Sequence, residues 1–191
     1  MLDVRWGSIA RLVLPAALLL AACAVPGCAV GAPSADDAAV RQALAEQEIA
    51  RLQVRYGQAT DLITRENTDS SRTRAVYRRL FTERAEIGLQ DQKHVVGPDA
   101  WLAFVEVSQA ALQGSQHLIG SLVVEVVELP DPRGAGGRAT MTSYLTATQV
   151  APGGAIARII GTYRAQAVHT PGIGWQLSRM TLSLLAVDRA P

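Results

Sequence analysis

A histidine opens one of the most apolar segments of the chain. His117 stands near the start of "SQHLIGSLVVEVVEL", residues 115–129, in which Val, Leu and Ile fill most of the later positions. This composition predicts a buried strand. An imidazole can act as a general acid or base close to neutral pH, so catalysis is one reason for a histidine at this place. A buried hydrogen bond without any chemistry is another.

Several other catalytic chemistries lack the residues they need. The two cysteines, Cys23 and Cys28, both precede the predicted domain, so thiolate catalysis and cysteine–zinc sites are excluded within it. The three histidines, His94, His117 and His169, are scattered and have no paired acidic spacing, so we expect no metal site. The sequence also contains neither a phosphate-binding glycine loop nor a nucleophile elbow.

The charge of the chain is almost balanced. The 191 residues include 18 basic and 17 acidic side chains, and the formal net charge is +1. No basic arm or tail is present, so we expect no nucleic-acid partner. The densest basic segment contains four arginines and is expected to be the solvated face of a short helix: Arg72, Arg74, Arg78 and Arg79.

The N-terminal segment has the features of an export signal. Arg5 and Arg11 flank the start of the apolar run "LVLPAALLLAACAV", which is too short for a comfortable membrane span. The run contains "LAAC", Leu20 to Cys23, which matches the bacterial lipobox. This match predicts that Cys23 is lipidated and anchors the mature protein to a membrane.

Two processing sites are compatible with this segment. Lipoprotein processing would remove residues 1–22 as the signal peptide, with residues 23–35 as a linker and residues 36–191 as the domain. Ordinary signal cleavage after Ala32 would discard both cysteines instead. In either case we expect an exported protein, which is a membrane-anchored lipoprotein in the first case and periplasmic or secreted in the second.

Helices come first in the domain, and long strands follow. Apolar side chains at three- and four-residue steps predict helices over residues 36–65 and 72–81, and Gly97-Pro98 begins a third helix after a hairpin. Joints rich in Gly and Pro then separate four long strands, over residues 117–129, 138–150, 155–170 and 175–187. This order predicts an α+β fold, with the helices on one face of a curved sheet.

The order of these elements and five motifs resemble the nuclear-transport-factor-2-like fold. Within that fold, the SnoaL-like branch with scytalone dehydratase and bile-acid 7α-dehydratase is the most similar. The motifs are "EIARLQVRYGQATD", "LFTERAEIGL", "VGPDAWLAF", "SQHLIGSLVVEVV" and "GTYRAQAVHTPGIGWQLSRMTL". The resemblance covers roughly residues 45 to 187. It implies a cone-shaped, strongly curved, mixed or antiparallel sheet with about three N-terminal helices that close the pocket.

The resemblance also implies a set of site residues. It places the catalytic histidine on His117, an acidic partner that orients it on Asp61, and a tyrosine that donates a proton on Tyr56. Thr162 and Arg164 fall at positions where family members present hydrogen-bonding side chains to the pocket. The active family members use no cofactor, and many form homodimers through the outer face of the sheet, so we expect the same here.

Three further positions bear on this assignment. Tyr144 fits either the pocket or the outer face of the sheet, and we expect the pocket, where it would help to bind a substrate. Thr148 stands where scytalone dehydratase has a second pocket histidine. Leu89 stands near the position of a tyrosine on its first strand. The sequence therefore retains one acid–base dyad of a larger apparatus.

Two functions are compatible with these residues. A histidine oriented by a carboxylate can take a proton next to a carbonyl and return it to a departing hydroxyl group. This chemistry predicts an exported, cofactor-free dehydratase or isomerase that acts on a hydrophobic hydroxy-carbonyl compound. The alternative is a non-catalytic module that binds a small apolar molecule or a protein partner, and the missing second histidine favours this alternative. In that case Asp61 is a surface residue, Tyr56 packs in the core and Arg164 faces solvent.

Overall fold

The structure is a computed structural model that describes residues 35–66, 70–92 and 94–189. The predicted signal peptide, Cys23 and all of the predicted linker except Ala35 lie outside these residues. The predictions for them therefore stay predictions. Among the described residues, no helix combines the length and the apolar character needed to cross a bilayer.

Within the described residues, three helices and six strands follow one another in the predicted order. They are α1 (Ala35–Glu66), α2 (Ser71–Leu80), β1 (Phe81–Leu89), β2 (Val95–Val96), α3 (Pro98–Gln109), β3 (Gly114–Glu128), β4 (Arg138–Val150), β5 (Ile156–Thr170) and β6 (Gly174–Arg189). Local signals explain several boundaries: Asp36 and Asp37 lie in the first turn of α1, where acidic side chains favour a helix start. Pro98 and Asp99 do the same for α3.

The six strands form one mixed sheet in the order β2-β1-β6-β5-β4-β3. All neighbours are antiparallel except β1 and β6, which are parallel. The pairing of β3 with β4 shifts register between Gly120 and Val123, next to Ser121 with a φ of 48°. Pairing of β5 with β6 shifts at Ile160/Gly161. Such bulges bend strands, so the sheet curves around the helices. The predicted α+β cone is thereby confirmed.

Strict alternation along the long strands decides which side chains enter the cone. In β4 the odd-numbered residues are buried from Ala139 to Ala147, and the even-numbered residues between them are exposed. The apolar stripe of α1, which includes Ile49, Leu52 and Tyr56, covers this inner face. The concave side of the sheet and the helices therefore enclose the core, and α1 passes directly over β3.

Candidate active site

Asp61 and His117 meet where the last turns of α1 cross the beginning of β3. The Oδ1 atom of Asp61 lies 2.6 Å from Nδ1 of His117. The two side chains are only 11% and 8% exposed, respectively. The contact predicted between these residues is therefore present, although 56 positions separate them in the chain.

Both oxygens of the Asp61 carboxylate accept hydrogen bonds from β3. The hydroxyl of Ser115 donates to Oδ1 at 3.1 Å, and the backbone N–H of His117 donates to Oδ2 at 3.0 Å. A carboxylate only accepts hydrogen bonds, so Nδ1 of His117 carries the proton in the contact with Oδ1. When the ring is neutral, Nε2 is therefore the unprotonated nitrogen and the one able to act as a base. Asp61 thus fixes both the tautomer and the orientation of the imidazole.

A glycine allows this close approach of helix and strand. A Cβ atom added to Gly57, one helical turn before Asp61, would lie 3.2 Å from both Cβ of His117 and Cγ1 of Ile119. Those distances are tighter than ordinary van der Waals contacts, so the lack of a side chain at Gly57 lets α1 lie directly on β3. A glycine inside a predicted helix lowers the stability of that helix, so its presence in the sequence indicates a place where another element approaches closely.

The third predicted catalytic residue, Tyr56, belongs to a cluster of buried aromatic rings. Its ring stacks on Tyr77, with centroids 5.6 Å apart. It also makes T-shaped contacts with Tyr163 and Phe81, at centroid distances of 5.8 and 5.9 Å. The indole N–H of Trp101 donates to the Tyr56 hydroxyl at 3.2 Å. Tyr56 is 2% exposed. It points into the cone, as expected, and also serves as core packing.

Three phenol groups of this cluster remain neutral because they are buried. Burial raises the pKa of Tyr56, and the hydrogen bond from Trp101 partly opposes that rise. Burial also raises the pKa of Tyr77 and of Tyr163 well above the usual value, and the nearby Tyr56 adds to both rises. The hydroxyls of Tyr77 and Thr60 share a hydrogen bond of 2.6 Å. The cluster can therefore supply neutral hydrogen-bonding groups but no phenolate near neutral pH.

The predicted substrate-binding residues lie on the other face of the sheet. Tyr144 is 61% exposed and pairs across the strands with Thr162, and Arg164 is exposed while its neighbours Tyr163 and Ala165 are buried. The inward orientation expected for these three side chains is therefore wrong. The reason is strand parity: the odd-numbered residues of β4 and β5 point into the cone, so the even-numbered ones point out. Tyr163 and Tyr77 were missed as members of the site.

The described residues contain no group of three or more His, Cys, Asp or Glu side chains that could hold a metal ion. The other two histidines are partly buried, and each has a local partner. His94 lies 3.4 Å from the hydroxyl of Thr181, and Nδ1 of His169 lies 2.7 Å from the carbonyl oxygen of Gly134. These contacts are structural and lie apart from the Asp61–His117 dyad.

A groove of about 490 Å³ between α1 and α2 borders the dyad. Asp61 forms part of its wall together with apolar side chains such as Leu62 and Val76, and His117 is not among the wall residues. A cavity of this size is typical of small-molecule sites. The carboxylate side of the dyad is therefore next to a space that can hold a ligand.

Comparisons with known proteins agree with this architecture. Among curated proteins, none is significantly similar to the chain. A protein from Kribbella flavida, Kfla4162, is 25% identical with a TM-score of 0.59, and the match covers 79% of this chain and 95% of that one. A candidate scytalone dehydratase from Novosphingobium aromaticivorans is 17% identical with a TM-score of 0.62, covering 80% and 92%.

A third structure, the hexachlorocyclohexane dehydrochlorinase LinA-type3 from Novosphingobium barchaimii, is 13% identical with a TM-score of 0.63, covering 80% and 94%. At such identities the last two structures support the fold. The family model described as SnoaL-like domain matches residues 41–181, which is most of the chain. The chain therefore belongs to the SnoaL-like domain family.

Proposed function

We propose that this chain is a cofactor-free dehydratase or isomerase that uses His117 and Asp61 as an acid–base dyad on a hydrophobic hydroxy-carbonyl compound. The observation that carries the proposal is the 2.6 Å contact between Nδ1 of His117 and Oδ1 of Asp61. The fixed tautomer leaves Nε2 free of its proton and able to act as a base. Two structurally similar proteins bear the names of enzymes that catalyse eliminations: the candidate scytalone dehydratase and the hexachlorocyclohexane dehydrochlorinase.

The proposed reaction begins with proton transfer to His117. Nε2 removes a proton from the carbon next to the substrate carbonyl, and Asp61 stabilises the imidazolium that forms. The C–O bond at the neighbouring carbon then breaks, and His117 returns its proton to the departing hydroxyl as water. A hydrogen bond from Tyr56 to the carbonyl oxygen would stabilise the charge that develops there. Its raised pKa keeps this phenol protonated and able to donate.

The first experiment is the NMR titration of His117 in the full chain. We expect the ¹⁵N shifts of the neutral ring to show a protonated Nδ1 and an unprotonated Nε2, and we expect Asp61→Asn to change the ratio of the two tautomers. Asp99→Asn, at an exposed carboxylate, is the matched control and should leave His117 unchanged. A neutral ring with the same tautomer ratio in wild type and Asp61→Asn would refute the dyad.

Turnover is tested separately by following conjugated enone formation from a panel of hydroxy-carbonyl compounds. His117→Gln should lower kcat by about 10²–10⁴-fold, the usual contribution of a general acid–base. An intact dyad with no turnover across the panel would favour the second candidate function.

The second candidate is a non-catalytic module, and the outer face of the sheet favours it. Large apolar side chains are exposed there, including Leu118 at 57%, Val123 at 64% and Tyr144 at 61%. Exposed apolar patches of this kind usually mark an interface. We propose that a second copy of the chain covers this face in a homodimer. Sedimentation equilibrium of wild type and Tyr144→Lys tests this: a wild type that is monomeric at micromolar concentration contradicts it.

Export and lipid anchoring of the chain through Cys23 are part of the same proposal, and the "LAAC" motif supports them. The anchored form should fractionate with membranes, and Cys23→Ala should release it or leave it unprocessed. Mass spectrometry of the mature N-terminus distinguishes lipidation at Cys23 from cleavage after Ala32.

A further inference from the structure

The groove between α1 and α2 has an apolar floor and a basic rim. Four apolar side chains, Ala59, Leu62, Val76 and Leu80, line it together with three arginines, Arg55, Arg65 and Arg79. Gln58 and Asp61 complete the wall. We call this space the α1/α2 groove. Its combination of an apolar surface with few charged groups of mainly one sign is typical of a small-molecule site.

A smaller hollow of about 240 Å³ continues the α1/α2 groove along α1. The two spaces share Arg55, Arg79 and Leu80. The smaller hollow is also lined by Arg51 and ends at Trp175, near the start of the strand β6. Arg55 and Arg79 therefore lie at the junction of the two spaces.

The four arginines that line the two spaces have no ionic partner among the described residues. Arg51, Arg55, Arg65 and Arg79 form no salt bridge there, whereas the basic neighbours Arg74 and Arg78 of the same helix α2 both pair with Asp99. The arginines of α2 therefore have different surroundings. Arg74 and Arg78 are neutralised by Asp99 on α3, whereas Arg79 lines the groove between α1 and α2. An unpaired guanidinium in a groove is a ready partner for a carboxylate or a phosphate group.

The acidic residues of the two spaces do not neutralise this rim. Both carboxylate oxygens of Asp61 are occupied by donors from β3. Of the two spaces, Glu48 lines the smaller one and not the α1/α2 groove, and it forms no salt bridge with a described residue. The walls therefore hold four arginines against two carboxylates. The excess positive charge beside an apolar floor fits a molecule with one anionic end and one apolar end.

We propose that the α1/α2 groove binds a small amphiphilic anion. The anionic group, a carboxylate or a phosphate, lies between Arg55 and Arg79, and the apolar part lies over Ala59, Leu62 and Val76. The groove shares Asp61 with the proposed dyad but does not include His117, so the two arginines are additional to the proposed acid–base chemistry. It adds a ligand class to a chain for which the dyad alone specifies only a reaction type.

Calorimetric titration of the full chain tests the proposal, with decyl phosphate and decanoate as probes below their micelle concentrations. We expect both probes to bind, and we expect Arg55→Gln and Arg79→Gln each to weaken binding about tenfold or more, as loss of one charge-assisted hydrogen-bonded pair predicts. The matched control is Arg138→Gln, at an exposed arginine that pairs with Glu128 and lines neither space. It should leave binding unchanged. Thermal unfolding of each variant verifies that the fold is retained.

Several outcomes would overturn the proposal. Inorganic phosphate that binds as tightly as decyl phosphate would show that the apolar floor is irrelevant, and 1-decanol that binds as tightly would show the same for the arginines. Equal loss of binding in Arg138→Gln would indicate a general charge effect. Arginine-dependent binding to phosphatidylglycerol vesicles without binding of the free probes would assign the groove to membrane lipid. Because binding is measured rather than turnover, failure here leaves the proposed dyad chemistry untouched.

Discussion

Two aspartates, Asp61 and Asp99, are each held by a set of donors, and their surroundings give them different roles. Asp99 lies at the start of α3 and accepts hydrogen bonds from Nε and a terminal nitrogen of Arg78 at 3.0 and 2.7 Å. Arg74 adds a contact of 3.4 Å. The side chain of Asp99 is 48% exposed, whereas that of Asp61 is 11% exposed. The exposed carboxylate has the stronger cationic partners, and the buried one has the more complete hydrogen bonding.

This comparison shows why good ion-pair geometry alone does not identify a functional site. Water can replace the partners of Asp99 at little cost, so the pair with Arg78 contributes little to the free energy of unfolding. Asp61 has no such replacement, because an unpaired charge inside the protein costs several kcal/mol. The fold therefore has to keep Ser115 and His117 in place for Asp61, and this constraint gives the imidazole its fixed orientation.

The largest expected effect is the loss of stability in Asp61→Ala. The change leaves the Ser115 hydroxyl, the Nδ1–H of His117 and a backbone N–H without their acceptor, so we expect the free energy of unfolding to fall by about 2–4 kcal/mol. Urea denaturation of the full chain measures this, with Asp99→Ala as the matched control. Equal midpoints for the two variants would mean that burial does not distinguish the two carboxylates.

The buried tyrosines provide a second comparison of buried and exposed groups, in the dependence of stability on alkaline pH. The pKa of Tyr56, Tyr77 and Tyr163 is raised in the folded protein, so below pH 10 these groups are neutral in both states. Above pH 10 the unfolded chain loses phenolic protons that the folded chain keeps, so stability falls as the pH rises. Each such proton contributes a slope of about 1.4 kcal/mol per pH unit.

Tyr163→Phe removes one of these three protons and should reduce the alkaline slope by about a third. Tyr144→Phe is the control, because Tyr144 is 61% exposed and lies outside the buried cluster. Urea midpoints between pH 9 and 11.5 give both slopes. A slope that is equally reduced by the two substitutions would contradict the burial of the Tyr163 hydroxyl.

The two aspartates also illustrate which features could be predicted from the sequence: the element boundaries could, and most long-range contacts could not. Periodicity located the elements closely: the first helix was expected over residues 36–65 and spans Ala35–Glu66. The pairing of Asp61 with His117 came only through the resemblance to a family, because no local pattern connects positions 56 apart. Asp99 was not singled out from the sequence, and its arginine partners were expected to be solvated.

The wrong predictions concern which face of a strand points into the cone. The spacing along β4 and β5 identifies two faces but does not name the inner one. Tyr144 and Arg164 were assigned to the inner face, although the buried series Met141, Ser143 and Leu145 has the opposite parity. The cluster of buried aromatic rings was not predicted for a different reason. Tyr56, Tyr77 and Tyr163 lie on three separate elements, and only the tertiary fold brings them together.

The smallest expected effect is at Asp99. The hydrogen bond from Arg78 is the main cause that lowers the pKa of Asp99, so the pair stabilises the fold above pH 3.8 and this stabilisation is lost as the pH falls through the lowered value. Because the side chain of Asp99 is 48% exposed, solvent screening keeps the contribution small. We expect Asp99→Asn to shift the urea midpoint slightly at low ionic strength and not at all near 1 M salt, where the Debye length is about 3 Å. A shift that persists in salt would show that Asp99, like Asp61, is held by contacts that water cannot replace.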